Sequence, residues 1–162
     1  MDTTDLKNPT LYINRELSLL EFNRRVIEQA KDENLPLLER LRFLCIASTN
    51  LDEFFEIRVA GLKQQVKYGS TQTGPDNLSP TEVLTRVSET AHQFVEEQYS
   101  VWNDLIIPAM AKDNIRLLRR SQWKSQTSRW IHRYFKDEVL PVLSPIGLDP
   151  AHPFPKEQNK NL

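Results

Sequence analysis

The sequence predicts a mainly α-helical fold, an antiparallel bundle of long helices followed by a short, incomplete α+β segment. Three observations carry that prediction. Apolar residues recur at spacings of three and four over long stretches, a Gly/Pro-rich loop ends in a clear helix start, and the character changes after residue 112, ending in a crowd of prolines. The chain has 162 residues, 39 % hydrophobic and 27 % charged, enough for one domain, or for one domain and the beginning of another. With 21 basic against 22 acidic side chains, the overall balance gives no basic footprint for nucleic acid. No apolar run approaches the roughly 20 residues that span a bilayer, and no charged-then-apolar leader opens the chain. The expectation is a cytoplasmic protein.

Residues 1–10 are polar and aperiodic and read as a loose tail. Ser18 and Glu21 have capping-box spacing and predict the start of a first helix with Leu19, Phe22, Val26 and Ala30 on one face, ending near Asp32. Pro36 suits the first turn of a second helix, which could run to Tyr68, about 45 Å at 1.5 Å per residue. On it Leu37, Leu41, Leu44, Ala47, Leu51, Phe55, Val59, Leu62 and Val66 form one apolar stripe, the expected core face. The single Cys45 lies beside this stripe and reads as a small core residue.

Residues 69–80 are loop by composition. Ser79-Pro80-Thr81-Glu82 then combines a cap, a proline at the first helical position and a capping glutamate. Leu84, Val87, Ala91, Phe94, Gln98, Val101 and Leu105 continue at helical spacing, and Pro108 should kink or end that helix. Beyond it, Ile115-Arg116-Leu117-Leu118 reads as a short strand, and Ser121 as the start of a helix carrying Trp123, Trp130, Ile131, Tyr134 and Phe135. Five of the ten prolines fall between Pro141 and Pro155, which predicts extended chain entering a different fold. The organisation expected is therefore a tail over 1–10, a helical domain over 11–113, and the unfinished start of a second domain over 114–162. The chain reads as a fragment.

One position breaks the pattern. A second row on the long helix reads Phe43, Ile46, Asn50, Phe54, Ile57, so Asn50 stands where a hydrophobe is called for. A buried amide must find partners or cost roughly 1 to 3 kcal/mol. Two readings are open: Asn50 caps a helix that breaks and restarts here, with Glu53 completing a capping box, or it faces a ligand. Phe43 and Phe54 could wall such a site, although aromatics at this spacing are more often core. The charges around it, Glu39, Arg40, Arg42, Asp52, Glu56 and Arg58, read as solvated helix faces.

Conventional chemistry is absent. Four glycines, at 61, 69, 74 and 147, cannot form a P-loop or a dinucleotide fingerprint, and paired Cys/His spacings for zinc are missing. His92, His132 and His152 stand alone and read as structural. No catalytic residue and no metal ligand is assigned.

Several blocks resemble the long bacterial polyphosphate kinases, the family that works through a phosphohistidine. They are Tyr12-Ile13-Asn14-Arg15-Glu16-Leu17-Ser18, Leu20-Glu21-Phe22-Asn23-Arg24-Arg25-Val26, Pro36-Leu37-Leu38-Glu39-Arg40-Leu41-Arg42-Phe43-Leu44, the run from Ser48-Thr49-Asn50-Leu51-Asp52-Glu53-Phe54-Phe55 through Lys63, and Ser144-Pro145-Ile146-Gly147-Leu148-Asp149-Pro150-Ala151-His152-Pro153-Phe154-Pro155. The likeness is strong over residues 11–67 and 139–155 and weak between them; Leu19, where an aromatic is usual, and Lys156-Glu157 depart from it. The resemblance implies an ATP:polyphosphate phosphotransferase whose phosphorylated histidine and Mg2+ ligands lie in domains outside this chain, leaving the isolated chain inactive. It implies that Asn50 contacts ATP and that Arg24, Arg25, Arg40 and Arg42 anchor a homodimer or homotetramer; the composition, separately, is compatible with peripheral membrane association without demanding it. The alternative from a different class is a non-enzymatic helical interaction module.

Overall fold

Helix α1, Arg15–Lys31, is capped four residues before the predicted Ser18: the N-cap is Asn14, whose side-chain oxygen accepts from the Glu16 and Leu17 amides. Ser18 is already inside the helix, its N–H donating to the Asn14 carbonyl. Asn14 also donates through Nδ2 to Asp76 at 2.6 Å, fixing the entry of α1 to the 69–79 loop. In this computed structural model the described residues are 5–145, 147–148, 150–151 and 153–154. The chain divides into two compact units, residues 1–116 and 117–162.

The first unit is three helical rods. α1 is the first. The second runs without a break as α2, Leu37–Glu53, a π-helical segment, Phe54–Val59, and α3, Ala60–Lys67. The third runs as α4, Pro80–Ser100, a π-helical segment, Val101–Ile106, and α5, Ile107–Lys112. A five-residue connection folds the second rod back along α1, and the third packs on both, with α3 against α4. The predicted cap of α4 is present: Ser79 Oγ accepts from the Glu82 amide while Glu82 receives the Ser79 N–H. Pro108 neither ends nor breaks its rod; the π-helical segment just before it loosens the ladder where its missing N–H would have bonded.

The core is where the three rods meet. Leu20, Ile27 and Ala30 of α1 pack with Leu44, Ala47 and Leu51 of α2 and with Val83, Val87, Ala91 and Phe94 of α4. The predicted α1 face holds at Ala30 but not before it: Leu19 and Phe22 are exposed, Val26 is half-buried against the core, and the buried row is Leu20, Asn23, Ile27, Ala30. On the second rod the stripe holds at Leu44, Ala47, Leu51, Val59 and Leu62, with Leu37 and Leu41 half-buried against the core, and fails at Phe55 and Val66. Phe54, 4 % exposed, is in the core, whereas Phe55 is 41 % exposed. The following buried residue is Val59, a step of five that matches the wider π turn. Cys45 is exposed, not core; it lies on the turn beyond the stripe, toward solvent.

Arg40 is buried and donates through Nε to the Ala30 carbonyl at 2.9 Å, satisfying the C-terminal turn of α1. Nearby, Lys31 Nζ meets Glu28 at 2.7 Å and Glu97 of α4 at 2.5 Å. Arg24 hydrogen-bonds Glu21 and also places Nε 3.1 Å from Glu97, at an angle that makes an ion pair rather than a hydrogen bond. Partial burial opposes the Lys31 charge, but Glu28 and Glu97 outweigh it and raise the pKa above 10.5. The stabilisation is thus complete below pH 10.5 and lost as pH climbs through the raised value.

The second unit contains a short 3₁₀ turn, Arg120–Gln122, helix α6, Ser125–Tyr134, a π-helical segment, Phe135–Val139, and a second 3₁₀ turn, Leu140–Val142. Two expectations fail here. Residues 115–118 form no strand, and no strand occurs among the described residues, so the α+β part of the prediction is unsupported; a strand needs a paired edge, and none is offered. Helix α6 starts at Ser125, not Ser121. Trp130 and Tyr134 stack at 5.3 Å on its surface. His152 lies outside the described residues.

Two predictions follow from this packing. Arg40→Ala should lower unfolding free energy by about 2 kcal/mol, because it strips a charged hydrogen bond and packed methylenes from a buried site, while Arg42→Ala, exposed and 3.7 Å from Glu39, should stay within about 0.5 kcal/mol; urea denaturation reads both. The Glu82 pKa is held below 4.5 by its hydrogen bonds with Ser79, so its contribution is present above pH 4.5 and disappears as pH falls through the lowered value. Melting temperatures of wild type and Ser79→Ala should therefore converge as the solution is acidified.

Candidate functional site

Asn50 is not a cap. Its backbone carbonyl accepts from the Phe54 amide, and the helix continues unbroken to Lys67. The side chain is half-buried at the floor of a shallow cleft of about 270 Å³ between α1 and the second rod. Leu19 and Phe22 of α1 form one wall; Glu53, Phe54, Ile57 and Arg58 form the other. A second depression of about 290 Å³ adjoins it and shares Leu19, Phe22 and Arg58.

The amide belongs to a polar relay. Asn23, 3 % exposed, donates through Nδ2 to the Ala47 carbonyl at 2.8 Å and accepts through Oδ1 from Asn50 Nδ2 at 3.1 Å. One hydrogen of Asn50 is thereby spent. Its second hydrogen and its oxygen have no protein partner among the described residues, leaving one donor and one acceptor at the cleft floor.

Around that polar point the cleft combines the apolar Leu19, Phe22 and Ile57 with the charged Glu53 and Arg58. Phe22 is 50 % and Ile57 59 % exposed, and the Arg25 guanidinium lies 5.4 Å from the Phe22 ring centroid, covering one face. Of the aromatics considered from the sequence, Phe54 lines the cleft but is buried in the core, and Phe43 packs against the core. Phe22 and Asn23 escape the sequence reading because α1 spacing alone puts Phe22 on the buried face and leaves Asn23 off it. The signal was available in Asn23, a polar residue inside the row Leu20, Asn23, Ile27, Ala30.

The other singled-out residues disperse. Of the arginines expected at an interface, Arg40 is buried against α1 and Arg24 is partly buried and paired with Glu97, whereas Arg25 and Arg42 are exposed. His92 is exposed with Nδ1 2.7 Å from the Ser88 carbonyl, and His132 is exposed on α6. No group of three His, Cys, Asp or Glu side chains among the described residues could hold a metal ion.

Fold and cleft together define a three-rod helical domain with a shallow cleft beside Asn50 and, among its described residues, no group of His, Cys, Asp or Glu that could hold a metal ion. The chain belongs to the polyphosphate kinase family: the profile of the polyphosphate kinase N-terminal domain matches residues 12–118, and that of the middle domain matches residues 126–162. It is 55 % identical over 157 residues to a polyphosphate kinase of Pseudomonas putida, covering 97 % of this chain and 22 % of the relative. Identity is 51 % to a Xylella fastidiosa polyphosphate kinase, covering 96 % and 22 %, and 50 % to one of Neisseria gonorrhoeae, covering 91 % and 22 %. The crystal structure of polyphosphate kinase from Porphyromonas gingivalis superposes with a TM-score of 0.72 at 29 % identity, covering 90 % of this chain and 20 % of that one. The chain thus spans about 22 % of the length of the curated relatives it matches.

The two aromatics make opposite predictions. Phe54→Ala should cost about 3 to 5 kcal/mol, as core aromatic deletions do, whereas Phe22→Ala should change stability by less than about 1 kcal/mol. Chemical denaturation of the two variants distinguishes cleft wall from core.

Proposed function

We propose that this chain is the N-terminal region of an enzyme that transfers the γ-phosphate of ATP reversibly to polyphosphate through a phosphohistidine held in later domains, and that this region orients the adenine base. The observation that carries the reading is Asn50: a half-buried amide on a rigid helix, beside exposed apolar walls, with one donor and one acceptor unspent. That pair matches the edge of adenine, which offers an amino hydrogen and a ring-nitrogen acceptor, while Phe22 and Ile57 provide apolar surface for the ring.

The region supplies orientation and no chemistry. Magnesium, when bound with the triphosphate, would neutralise phosphate charge; the described residues offer it no ligand set, and holding it falls to the later domains. Association into a homodimer or homotetramer is part of the same proposal, with Arg25 and Arg42 as the exposed anchors left once Arg24 and Arg40 are engaged within the bundle. No described helix is long and apolar enough to cross a membrane, and a cytoplasmic, peripherally membrane-associated enzyme accords with that. The non-enzymatic interaction module has no observation in its favour that the family match does not also explain.

In the full-length enzyme, Asn50→Ala should raise the KM for ATP about tenfold, the value of one or two lost hydrogen bonds, and lower the melting temperature by only a few degrees. Steady-state kinetics and a thermal melt measure both. An unchanged KM with a large loss of melting temperature would overturn the nucleotide reading.

A further inference from the structure

The relay behind Asn50 restricts which way its amide can point. A backbone carbonyl only accepts, so the atom of Asn23 facing the Ala47 carbonyl, 2.8 Å away, must be Nδ2. That turns Asn23 Oδ1 toward Asn50. An amide oxygen also only accepts, so Asn50 must present Nδ2 to it, at 3.1 Å, and its own Oδ1 is left on the opposite side. An unrestrained asparagine can rotate its amide by half a turn and exchange donor for acceptor. Here that rotation would set the Asn50 oxygen against the oxygen of Asn23, which is 3 % exposed and already committed to the Ala47 carbonyl through its own amide nitrogen.

Resting on the base contact proposed above, we infer that Asn23 is a positioning residue which fixes the orientation of the Asn50 amide and so makes the contact selective for adenine over guanine. Adenine places an amino donor beside a ring acceptor; guanine places a carbonyl acceptor beside a ring N–H donor. A freely rotating amide satisfies either base by turning over. The locked amide satisfies adenine and, in the same pose, sets acceptor against acceptor and donor against donor for guanine, leaving buried polar groups unpaired. Asn23 lines the same cleft but is 3 % exposed, with its amide nitrogen on the Ala47 carbonyl and its oxygen on Asn50, so its effect passes through Asn50.

The test uses the full-length enzyme and compares kcat/KM for ATP and GTP in Asn23→Leu, Asn23→Asp and Asn50→Ala, each assayed below its melting transition. Asn23→Leu removes the oxygen that holds Asn50 and should reduce the ATP-over-GTP ratio about tenfold, mainly through KM. Asn23→Asp keeps an oxygen facing Asn50 in either protonation state and should hold the ratio within about twofold of wild type, although its altered contact with Ala47 lowers stability as leucine does. If Asn23→Leu does not fold, Asn23→Ala removes the same oxygen without added bulk. Equal loss of the ratio in the leucine and aspartate variants, or an unchanged ratio in Asn23→Leu and Asn23→Ala, overturns the orienting role while leaving the base contact standing. An unchanged ATP KM and ratio in Asn50→Ala overturns the base contact itself.

Discussion

The second rod has to keep one apolar face against two partners over about 45 Å, and the rest of the first unit depends on how it does so. A helical repeat of 3.6 residues carries a stripe of fixed three- and four-residue spacing gradually around the axis. The π-helical turn at Phe54–Val59 absorbs one extra residue and returns the face to its partners, so that Leu51, Phe54, Val59 and Leu62 are all buried. The same device precedes Pro108 in the third rod, where Val101 and Ile106 stay in the core. Both rods thereby remain continuous where the sequence suggests a break. The π turn also provides Phe54, Ile57 and Arg58 to the cleft beside Asn50, linking the packing solution to the site.

A buried asparagine in α1 would normally be a liability, since an unpaired amide costs more than a hydrophobe of similar size contributes. Asn23 is tolerated because both ends of its amide are satisfied, by the Ala47 carbonyl and by Asn50. The relay is closed at its inner end and open at its outer end. A network arranged in this way holds the Asn50 amide in one orientation, and the nucleotide contact proposed for it would lose little ordering entropy.

Polar contacts at the rod ends do a different job. Arg40 satisfies the last turn of α1, Asn14 joins the first turn to the 69–79 loop, and Glu97 receives both Lys31 and Arg24 from α1. Exposed ion pairs contribute little individually, but these connect different rods and set their register, which places Phe22 and Asn23 opposite Asn50. Arginines that look alike in sequence are thus divided by the fold: Arg24 and Arg40 hold the bundle, while Arg25 and Arg42 face solvent.

The helical class, the long second rod, the start of α4 at Ser79 and the family were all legible in the sequence, because each depends on local spacing, capping chemistry or an ordered set of motifs. Asn50 was legible as an anomaly for the same reason, though not whether it capped a helix or faced outward. What the tertiary structure decided were choices between locally equivalent options. On α1, Leu19-Phe22-Val26 and Leu20-Asn23-Ile27 are adjacent rows of similar spacing, and only hydrogen bonds from another helix make the row with the asparagine the buried one. Phe54 and Phe55 are interchangeable until a π turn selects the first, Cys45 is core or surface by a fraction of a turn, and residues 115–118 are a strand only where a partner edge exists. Spacing along one helix is a local property; which face is buried, and where a buried amide finds its partner, belong to the contact between helices.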